Sequence, residues 1–162
     1  MRISSVIMNA SPLICMMKTG ITEILPALFQ DIVVPEAVNR EILIKGKADL
    51  KEQVSASDQW MRLVYDIQIA PQVASWDLGQ GESQVITYAV EHPDCWAVID
   101  DREARRCALA LNCRHTGTLG IIVLAKRRGI ISSIREYSER LKEAGLWLST
   151  ELIDQVCRNS GE

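Results

Sequence analysis

Short apolar runs alternate along this chain with longer segments whose apolar residues recur every three or four positions. A run of roughly four to eight apolar residues is typical of a buried strand, and the longer spacing is typical of a helix with one buried face. Strands are predicted at 3–8, 31–35, 95–100 and 113–118, with strand-like residues also near the end of 61–70. Helices are predicted at 11–29 with a kink at Pro26, 36–45, 48–60, 81–91, 100–112, 119–129, 133–144 and 150–158.

This alternation predicts an α/β protein with a mainly parallel sheet that helices cover on both faces. We expect one domain over residues 1–162, with the late helices at 133–159 belonging to it, because domains usually have about 100–200 residues. Ligands of such sheets bind beyond the carboxyl ends of the strands. Residues that directly follow a strand are therefore the first candidates for a site.

Composition narrows the class of protein. Apolar residues are 48% and charged residues 24% of the chain, as in soluble globular domains. No apolar run approaches the ~20 residues that span a bilayer, and the first residues lack the order of a signal peptide, so we expect a cytoplasmic protein without a membrane partner. The five cysteines form no C-x-x-C pair, which excludes zinc ribbons and redox motifs and predicts buried free thiols.

Net charge and aromatic content restrict how the chain could bind nucleic acid. The net charge is −3, so a polyanion would have to meet a local basic patch and not the field of the whole molecule. Aromatic residues are only 5% of the chain, which argues against an aromatic platform on which single strands stack.

Two glutamates lie on the apolar faces of their predicted helices. Ala37, Val38 and Ile44 share the face of Glu41, and a stripe of apolar residues shares the face of Glu82. Each has an ordinary explanation, because Glu41 can snorkel to water at a boundary and Glu82 can be an acid that the helix dipole favours. The alternative is that both carboxylates point to a common site.

Polar residues also follow two of the predicted strands directly. Asn9 follows the first strand, and Asp100 and Asp101 follow the strand CWAVI. One aspartate is explained as a helix N-cap, and the second then projects beyond the strand. Clustered carboxylates repel one another unless a hard divalent cation, Mg²⁺ or Mn²⁺, neutralises them. Because such a cation activates water and clamps phosphate oxygens, the residues indicate phosphodiester hydrolysis.

Candidates for phosphate contacts follow the aspartates. Arg102 and Arg105 lie in the first turns of the next predicted helix, where they either steady a phosphate or form a solvated face. Thr118 precedes a helix in HTGTLG, where it is either an N-cap or a hydroxyl that helps to hold phosphate. The P-loop pattern is absent, so a nucleotide-triphosphate site of that type is excluded.

The sequence resembles the PIN domain superfamily in five segments that occur in family order: NASPLI, VPEAVNREI, LGQGESQVITYA, VIDDREARRCA and TGTLGIIVLAKRRG. It is most similar to a bacterial and archaeal branch of unknown function that is related to the toxin ribonucleases of type II toxin–antitoxin pairs. The resemblance covers nearly the whole chain. It implies a three-layer α/β/α sandwich and a metal-dependent ribonuclease, with an RNA substrate, an antitoxin partner and a homodimer.

The resemblance also assigns roles to residues of this sequence. It places the family's acidic metal cluster on Asn9, Glu41, Glu82 and Asp101, with Asp100 beside them, and a small substrate-binding hydroxyl on Ser11. The departure is at Asn9, where the wider superfamily carries aspartate, because an amide keeps a carbonyl oxygen but lacks the charge.

Three interpretations stay open. The first is a ribonuclease whose cation site is weakened by Asn9. The second is a non-catalytic protein of the same fold that binds nucleic acid or an antitoxin, and the third is an unrelated α/β protein. Apolar residues of the late helices could contact a partner, but we expect ordinary core for them: Ile134, Tyr137, Leu141, Trp147, Leu148 and Leu152.

Overall fold

In the computed structural model, which describes residues 3–45 and 59–162, five strands form one parallel sheet. The strands are β1 (Ser5–Met8), β2 (Asp31–Pro35), β3 (Arg62–Val64), β4 (Cys95–Val98) and β5 (His115–Thr116). Their order across the sheet is β3-β2-β1-β4-β5, and every neighbouring pair is parallel. The carboxyl ends of all five strands therefore meet at one edge, with β1 in the centre. The predicted three-layer α/β/α fold is confirmed.

Helices connect the strands and cover the sheet. In the described part of the chain they are α1 (Ala10–Thr19), α2 (Ile24–Leu28), α3 (Glu36–Lys45), α4 (Pro71–Ala74), α5 (Gln80–Glu91), α6 (Arg102–Ala110), α7 (Thr118–Arg127), α8 (Ile134–Glu143) and α9 (Thr150–Asn159). Helices α1, α3, α6 and α7 begin within four residues of a strand end, which places their first turns at the carboxyl edge of the sheet.

The central strand is buried on both faces, as parallel sheets require. Val6, Ile7 and Met8 have no exposed surface. Met8 lies opposite Val98 of β4, and the backbone N–H of Asn9 donates to the carbonyl oxygen of Val98 at 3.0 Å. The hydrogen-bonded ladder thus extends one residue past β1 and fixes the backbone of Asn9 at the edge of the sheet.

The predicted helix at 11–29 is wrong in one respect, because it is two helices. Helix α1 ends at Gly20, whose φ of 67° is the left-handed conformation that glycine adopts at low cost, and its N–H bonds back to the carbonyls of Met16 and Met17. The predicted kink at Pro26 does not occur, since Pro26 lies in the first turn of the short helix α2, where a missing N–H costs nothing.

Several other element boundaries differ from the predictions. Strand β3 lies near the start of the segment 61–70 and not near its end. The segment 71–84 contains the short helix α4, and α5 begins at Gln80. Thr118 is the first residue of α7 and not its N-cap, which is Gly117. The predicted helix at 48–60 lies outside the described residues except for its last two.

A continuous cluster of buried apolar side chains joins the sheet to the helices, including α8 and α9. Ile134, Leu141 and Leu148 belong to it, as predicted, and Tyr137 packs against it. The prediction is wrong for Trp147, which is 88% exposed, and for Leu152, which is 41% exposed. All five cysteines are buried and free, which confirms that prediction. Burial raises the pKa of Cys113 to about 11, so this thiol stays protonated and unreactive at neutral pH. Among the described residues, no helix is both long and apolar enough to cross a bilayer.

Candidate functional site

Asn9 is the central polar residue at the carboxyl edge of the sheet. It is the N-cap residue of α1 by position, but its side chain makes no capping hydrogen bond. The residue is only 1% exposed, and its Oδ1 atom is buried without a hydrogen-bond partner among the described residues. An orphaned buried acceptor costs about 1–3 kcal/mol of stability, so its presence calls for a reason other than packing.

Glu82 lies beside Asn9. It occupies the first turn of α5, where the helix dipole favours an acid, and it is half-buried. The Nδ2 atom of Asn9 donates to Oε1 of Glu82 at 3.4 Å, a long hydrogen bond. This contact defines the orientation of the Asn9 amide. Its nitrogen faces the carboxylate of Glu82, and its unpaired oxygen faces away from that carboxylate.

Glu41 approaches the same place from α3. Its side chain is 31% exposed, and its Oε1 accepts from Nζ of Lys45 at 2.5 Å. This hydrogen bond, followed by the charges of Glu41 and Glu82, raises the pKa of Lys45. The ammonium of Lys45 is therefore a cation within electrostatic reach of both glutamates, which would otherwise repel one another.

Gly81 is the residue around which these side chains meet. A Cβ atom added to it would lie 3.6 Å from Oδ1 of Asn9, 3.4 Å from Oε2 of Glu41 and 3.3 Å from Val38. The orphaned amide oxygen and the free carboxylate oxygen of Glu41 thus border one small space over the start of α5. A cavity of about 250 Å³ opens beside it and is lined by Glu41, Lys45 and Gly81 among others.

Asp100, after β4, is held by the start of α7. Its Oδ1 accepts from the backbone N–H of Thr118 at 2.8 Å, and its Oδ2 accepts from the Thr118 hydroxyl at 2.5 Å. A Cβ at Gly117 would lie 2.7 Å from Oδ1 of Asp100, so only glycine permits this approach. The carboxylate of Asp100 and the hydroxyl of Thr118 are therefore hydrogen-bonded to each other.

Asp101 is the exposed N-cap of α6, and its Oδ1 accepts from the backbone N–H of Ala104 at 2.8 Å. One of the two aspartates is an N-cap, as expected, and it is this one. Arg102 and Arg105 are exposed on the first turns of α6, and Nη1 of Arg105 lies near the Asp100–Gly117 contact. Ser11 is exposed in α1 and lines a cavity of about 200 Å³ with Lys18 and Lys45.

The structure therefore brings together three of the predicted site residues, Asn9, Glu41 and Glu82. It holds Asp100 and Asp101 by hydrogen bonds to α7 and α6. In residues 3–45 and 59–162, no group of three or more histidine, cysteine, aspartate or glutamate side chains is arranged to hold a metal ion. Because Asn9 carries an amide and not a carboxylate, this group of three has two carboxylates, those of Glu41 and Glu82.

One observation indicates that the residues around Gly81 have the oxygen ligands that a hard divalent cation needs. The orphaned Oδ1 of Asn9 is a buried neutral oxygen without a proton donor, and the free Oε2 of Glu41 borders the same space. Mg²⁺ and Mn²⁺ take such carbonyl and carboxylate oxygens. Glu82, bound to the same amide, is the second carboxylate in reach.

The comparison with known protein families agrees with this architecture. A family model described as a PIN domain matches residues 5–162, and the chain therefore belongs to the PIN domain family. The match includes all five strands of the parallel sheet and the acids at its carboxyl edge. A comparison with curated protein sequences gave no match.

Sequence reasoning missed two residues of this cluster, Lys45 and Gly81. Lys45 lies four positions after Glu41 on one helix, a spacing that favours an ion pair, so a local signal for this contact existed. Gly81 immediately precedes Glu82 in the first turn of its helix, where a glycine indicates close approach of another group. The third interpretation of the sequence, an unrelated α/β protein, is excluded by the family match.

Proposed function

We propose that this protein is a metal-dependent ribonuclease that hydrolyses phosphodiester bonds at the carboxyl edge of its sheet. The observation that carries the proposal is the buried Oδ1 of Asn9, which lacks a partner among the described residues and shares the space over Gly81 with a carboxylate oxygen of Glu41. The PIN family supplies the nuclease-type fold. Mg²⁺ or Mn²⁺ is the cofactor that this set of oxygen atoms would take.

In this proposal Asn9, Glu41 and Glu82 would hold the cation, which would supply Lewis-acid activation of water. Through the 3.4 Å hydrogen bond, Glu82 keeps the amide of Asn9 oriented with its oxygen toward the space over Gly81. Lys45 offsets the negative charge of the two glutamates. Asp100 holds the start of α7, and Asp101 caps the start of α6, the helix whose Arg102 and Arg105 would contact phosphate.

Cleavage of RNA by matched variants tests this proposal. Labelled RNA is incubated with Mn²⁺, Mg²⁺ or EDTA and with wild type, Glu41→Gln, Glu82→Gln or the control Glu103→Gln, an exposed acid on α6 that pairs with Arg106. We expect cleavage only with metal, and loss of at least about 100-fold in the first two variants, since even partners of metal ligands are worth about 10–100-fold. Equal cleavage by all four proteins, or cleavage in EDTA, would contradict the proposal.

A second candidate is a non-catalytic protein of the same fold that binds RNA or an antitoxin. It is favoured by the amide at position 9 and by Lys45, which already places a cation beside the two glutamates. Asn9→Asp distinguishes the candidates. It would put a second carboxylate 3.4 Å from Glu82 and increase the demand for a cation, so a weakened nuclease should gain metal affinity and cleavage rate by about tenfold. Absence of cleavage in both forms supports the binding protein.

The biological setting of the proposal is a toxin-like component of a toxin–antitoxin pair in the cytoplasm, acting as a homodimer. The support for this is the family membership alone. Growth arrest on expression, relieved by co-expression of the chain encoded next to it, and light scattering of the purified protein would test the two parts separately. Unchanged growth and a monomer mass would remove the toxin role and the dimer, respectively.

A further inference from the structure

Lys45, the last residue of α3, places a cation at the cluster around Gly81. Its Nζ atom donates to Oε1 of Glu41 at 2.5 Å, and its side chain is 65% exposed. The spacing of four residues and the position at a helix C-terminus both favour such a contact, so the pair by itself has an ordinary explanation. Its surroundings distinguish it from an ordinary surface ion pair.

A second ion pair on the same helix makes the distinction clear. Arg40 pairs with Glu36 at 2.8 Å with the same spacing, and both side chains are exposed. Glu41 is among the side chains nearest to a Cβ atom added to Gly81, with its Oε2 at 3.4 Å, and Glu36 is not. The ion pair of Lys45 therefore involves a carboxylate of the candidate site, and the ion pair of Arg40 does not.

The ammonium of Lys45 changes the charge balance of the cluster. Glu41 and Glu82 carry two negative charges, the amide of Asn9 carries none, and the ammonium leaves one net negative charge. The charge of Glu82 acts on the same ammonium and helps to raise the pKa of Lys45. A divalent cation matches two carboxylates, but beside the ammonium it would be repelled and would leave one net positive charge. Lys45 and a divalent cation therefore oppose each other at this site.

Lys45 also has room to leave Glu41. It borders the cavity of about 250 Å³ beside Gly81 and the cavity of about 200 Å³ that Ser11 and Lys18 line. A flexible four-carbon stem lets the ammonium reach either cavity without a change in the backbone of α3. Because exposed ion pairs of this kind are weak, the ammonium can leave the carboxylate at low cost.

We infer that Lys45 is a built-in competitor that sets the divalent-cation affinity of the cluster around Gly81 by holding Glu41 when no divalent cation is bound. The inference rests on the proposed function and names a regulation of its site. In this role Lys45 is a positioning residue, because it acts through Glu41. The same contact that balances the glutamates in the metal-free protein keeps the affinity for a divalent cation low.

Calorimetric titration of Mn²⁺ into the metal-free protein tests this inference, with thermal unfolding in EDTA as a second readout. Lys45→Met removes the charge and keeps the length of the side chain, and Lys45→Arg keeps the charge. Arg40→Met is the matched control, because it removes one positive charge from an ion pair of the same spacing on the same helix. Arg40 also borders the cavity of about 250 Å³, so an effect of net charge alone would appear in both methionine variants.

We expect Lys45→Met to bind Mn²⁺ about tenfold more tightly than wild type, Lys45→Arg to stay within about threefold of it, and Arg40→Met within about twofold. In EDTA, Lys45→Met should melt about 2–4 °C below wild type, because the two glutamates lose the cation that balances them. Excess Mn²⁺ should remove this difference, since a ligand that binds more tightly stabilises the folded protein more.

Unchanged or weaker Mn²⁺ binding by Lys45→Met would overturn the inference, and so would the absence of Mn²⁺ binding in every variant. An equal gain in Arg40→Met would also overturn it, because the effect would then belong to net charge. RNA cleavage by the same samples separates the two proposals. Mn²⁺ affinity that depends on Lys45 without cleavage keeps the inference and removes the nuclease, and metal-dependent cleavage with equal affinities does the reverse.

Discussion

The carboxyl edge of the sheet carries two groups of acids that differ in how their oxygens are used. Beside β4, Asp100 accepts two hydrogen bonds from Thr118, and Asp101 accepts one from Ala104. Beside β1, Oδ1 of Asn9 has no partner among the described residues, and its amide makes only a long bond to Glu82. In the first group both oxygens of Asp100 and one oxygen of the exposed Asp101 are hydrogen-bonded within the protein. The second group includes a buried acceptor atom that the described residues leave without a partner.

This difference distinguishes acids whose oxygens are hydrogen-bonded within the protein from those beside an unpaired buried oxygen, which the sequence alone cannot do. All of these residues follow a strand or begin a helix, so each has the same ordinary explanation as a cap or a dipole partner. In the structure that explanation accounts for Asp100 and Asp101 and fails for Asn9, which occupies a cap position without capping. We therefore place the proposed chemistry around Gly81 and assign the aspartates a supporting role.

The largest expected effect on stability is at Asp100. Asp100→Ala removes two hydrogen bonds to a carboxylate and leaves the N–H of Thr118 buried, because Thr118 has no exposed surface. We expect a loss of about 3 kcal/mol in the free energy of unfolding, or roughly 6–12 °C in the melting temperature. Asp101→Ala, which removes one exposed cap, should cost only about 1 kcal/mol. Equal losses in thermal or urea unfolding would contradict a special structural role for Asp100.

Gly81→Ala is expected to affect binding more than folding. The added Cβ would meet Val38 and Oε2 of Glu41 at 3.3 and 3.4 Å, and it would enter the space that Oδ1 of Asn9 also borders. Alanine gains up to about 1 kcal/mol in helix propensity, which offsets the tight contact. We predict a change in stability below about 1 kcal/mol and about tenfold weaker Mn²⁺ binding. Unchanged Mn²⁺ affinity would mean that the cation does not bind there.

The smallest expected effect is at Asp31, an acid at the opposite edge of the sheet, where β2 begins. It accepts from Arg62 at 3.0 and 2.9 Å and from Ser5 at 3.1 Å, and these bonds, Arg62 foremost, lower the pKa of Asp31. A lowered pKa stabilises the fold above the ordinary value of about 3.9, and this contribution is lost as the pH falls through the folded value.

Asp31→Asn should therefore cost less than about 1 kcal/mol at pH 7, because the side chain is 39% exposed and solvent screens the pair. The difference from wild type should disappear in unfolding experiments as the pH falls through the lowered pKa of Asp31. Metal affinity should not change. A change in metal affinity would show that acids remote from Gly81 contribute, which would weaken the contrast between the two groups.

The sequence was sufficient for the fold because periodicity and turn residues carry that information locally. Strands β1, β2, β4 and β5 and most helices lie where their patterns predict them, and Glu41 and Glu82 were identified by lying on apolar faces. The break at Gly20 was missed because Pro26 is the stronger general signal against a helix, although a left-handed glycine ended the helix first.

The site was predicted less completely because its decisive contacts join residues that are far apart in sequence. Nothing local shows that Thr118 binds Asp100, that Gly81 admits Glu41 and Asn9, or that an oxygen of Asn9 lacks a partner. Trp147 was expected in the core because its neighbours are apolar, but it lies in the turn between α8 and α9, where alternate residues face solvent.

Calorimetric titration of Mn²⁺ into the metal-free protein tests the central claim most directly. Wild type is compared with Glu82→Gln, which keeps the shape of the side chain but removes its charge, and with Glu103→Gln as the matched control. We predict one saturable site in wild type and in the control, and its loss in Glu82→Gln. No saturable binding by wild type up to about 10 mM, weaker than extracellular calcium modules, would contradict a metal site around Gly81.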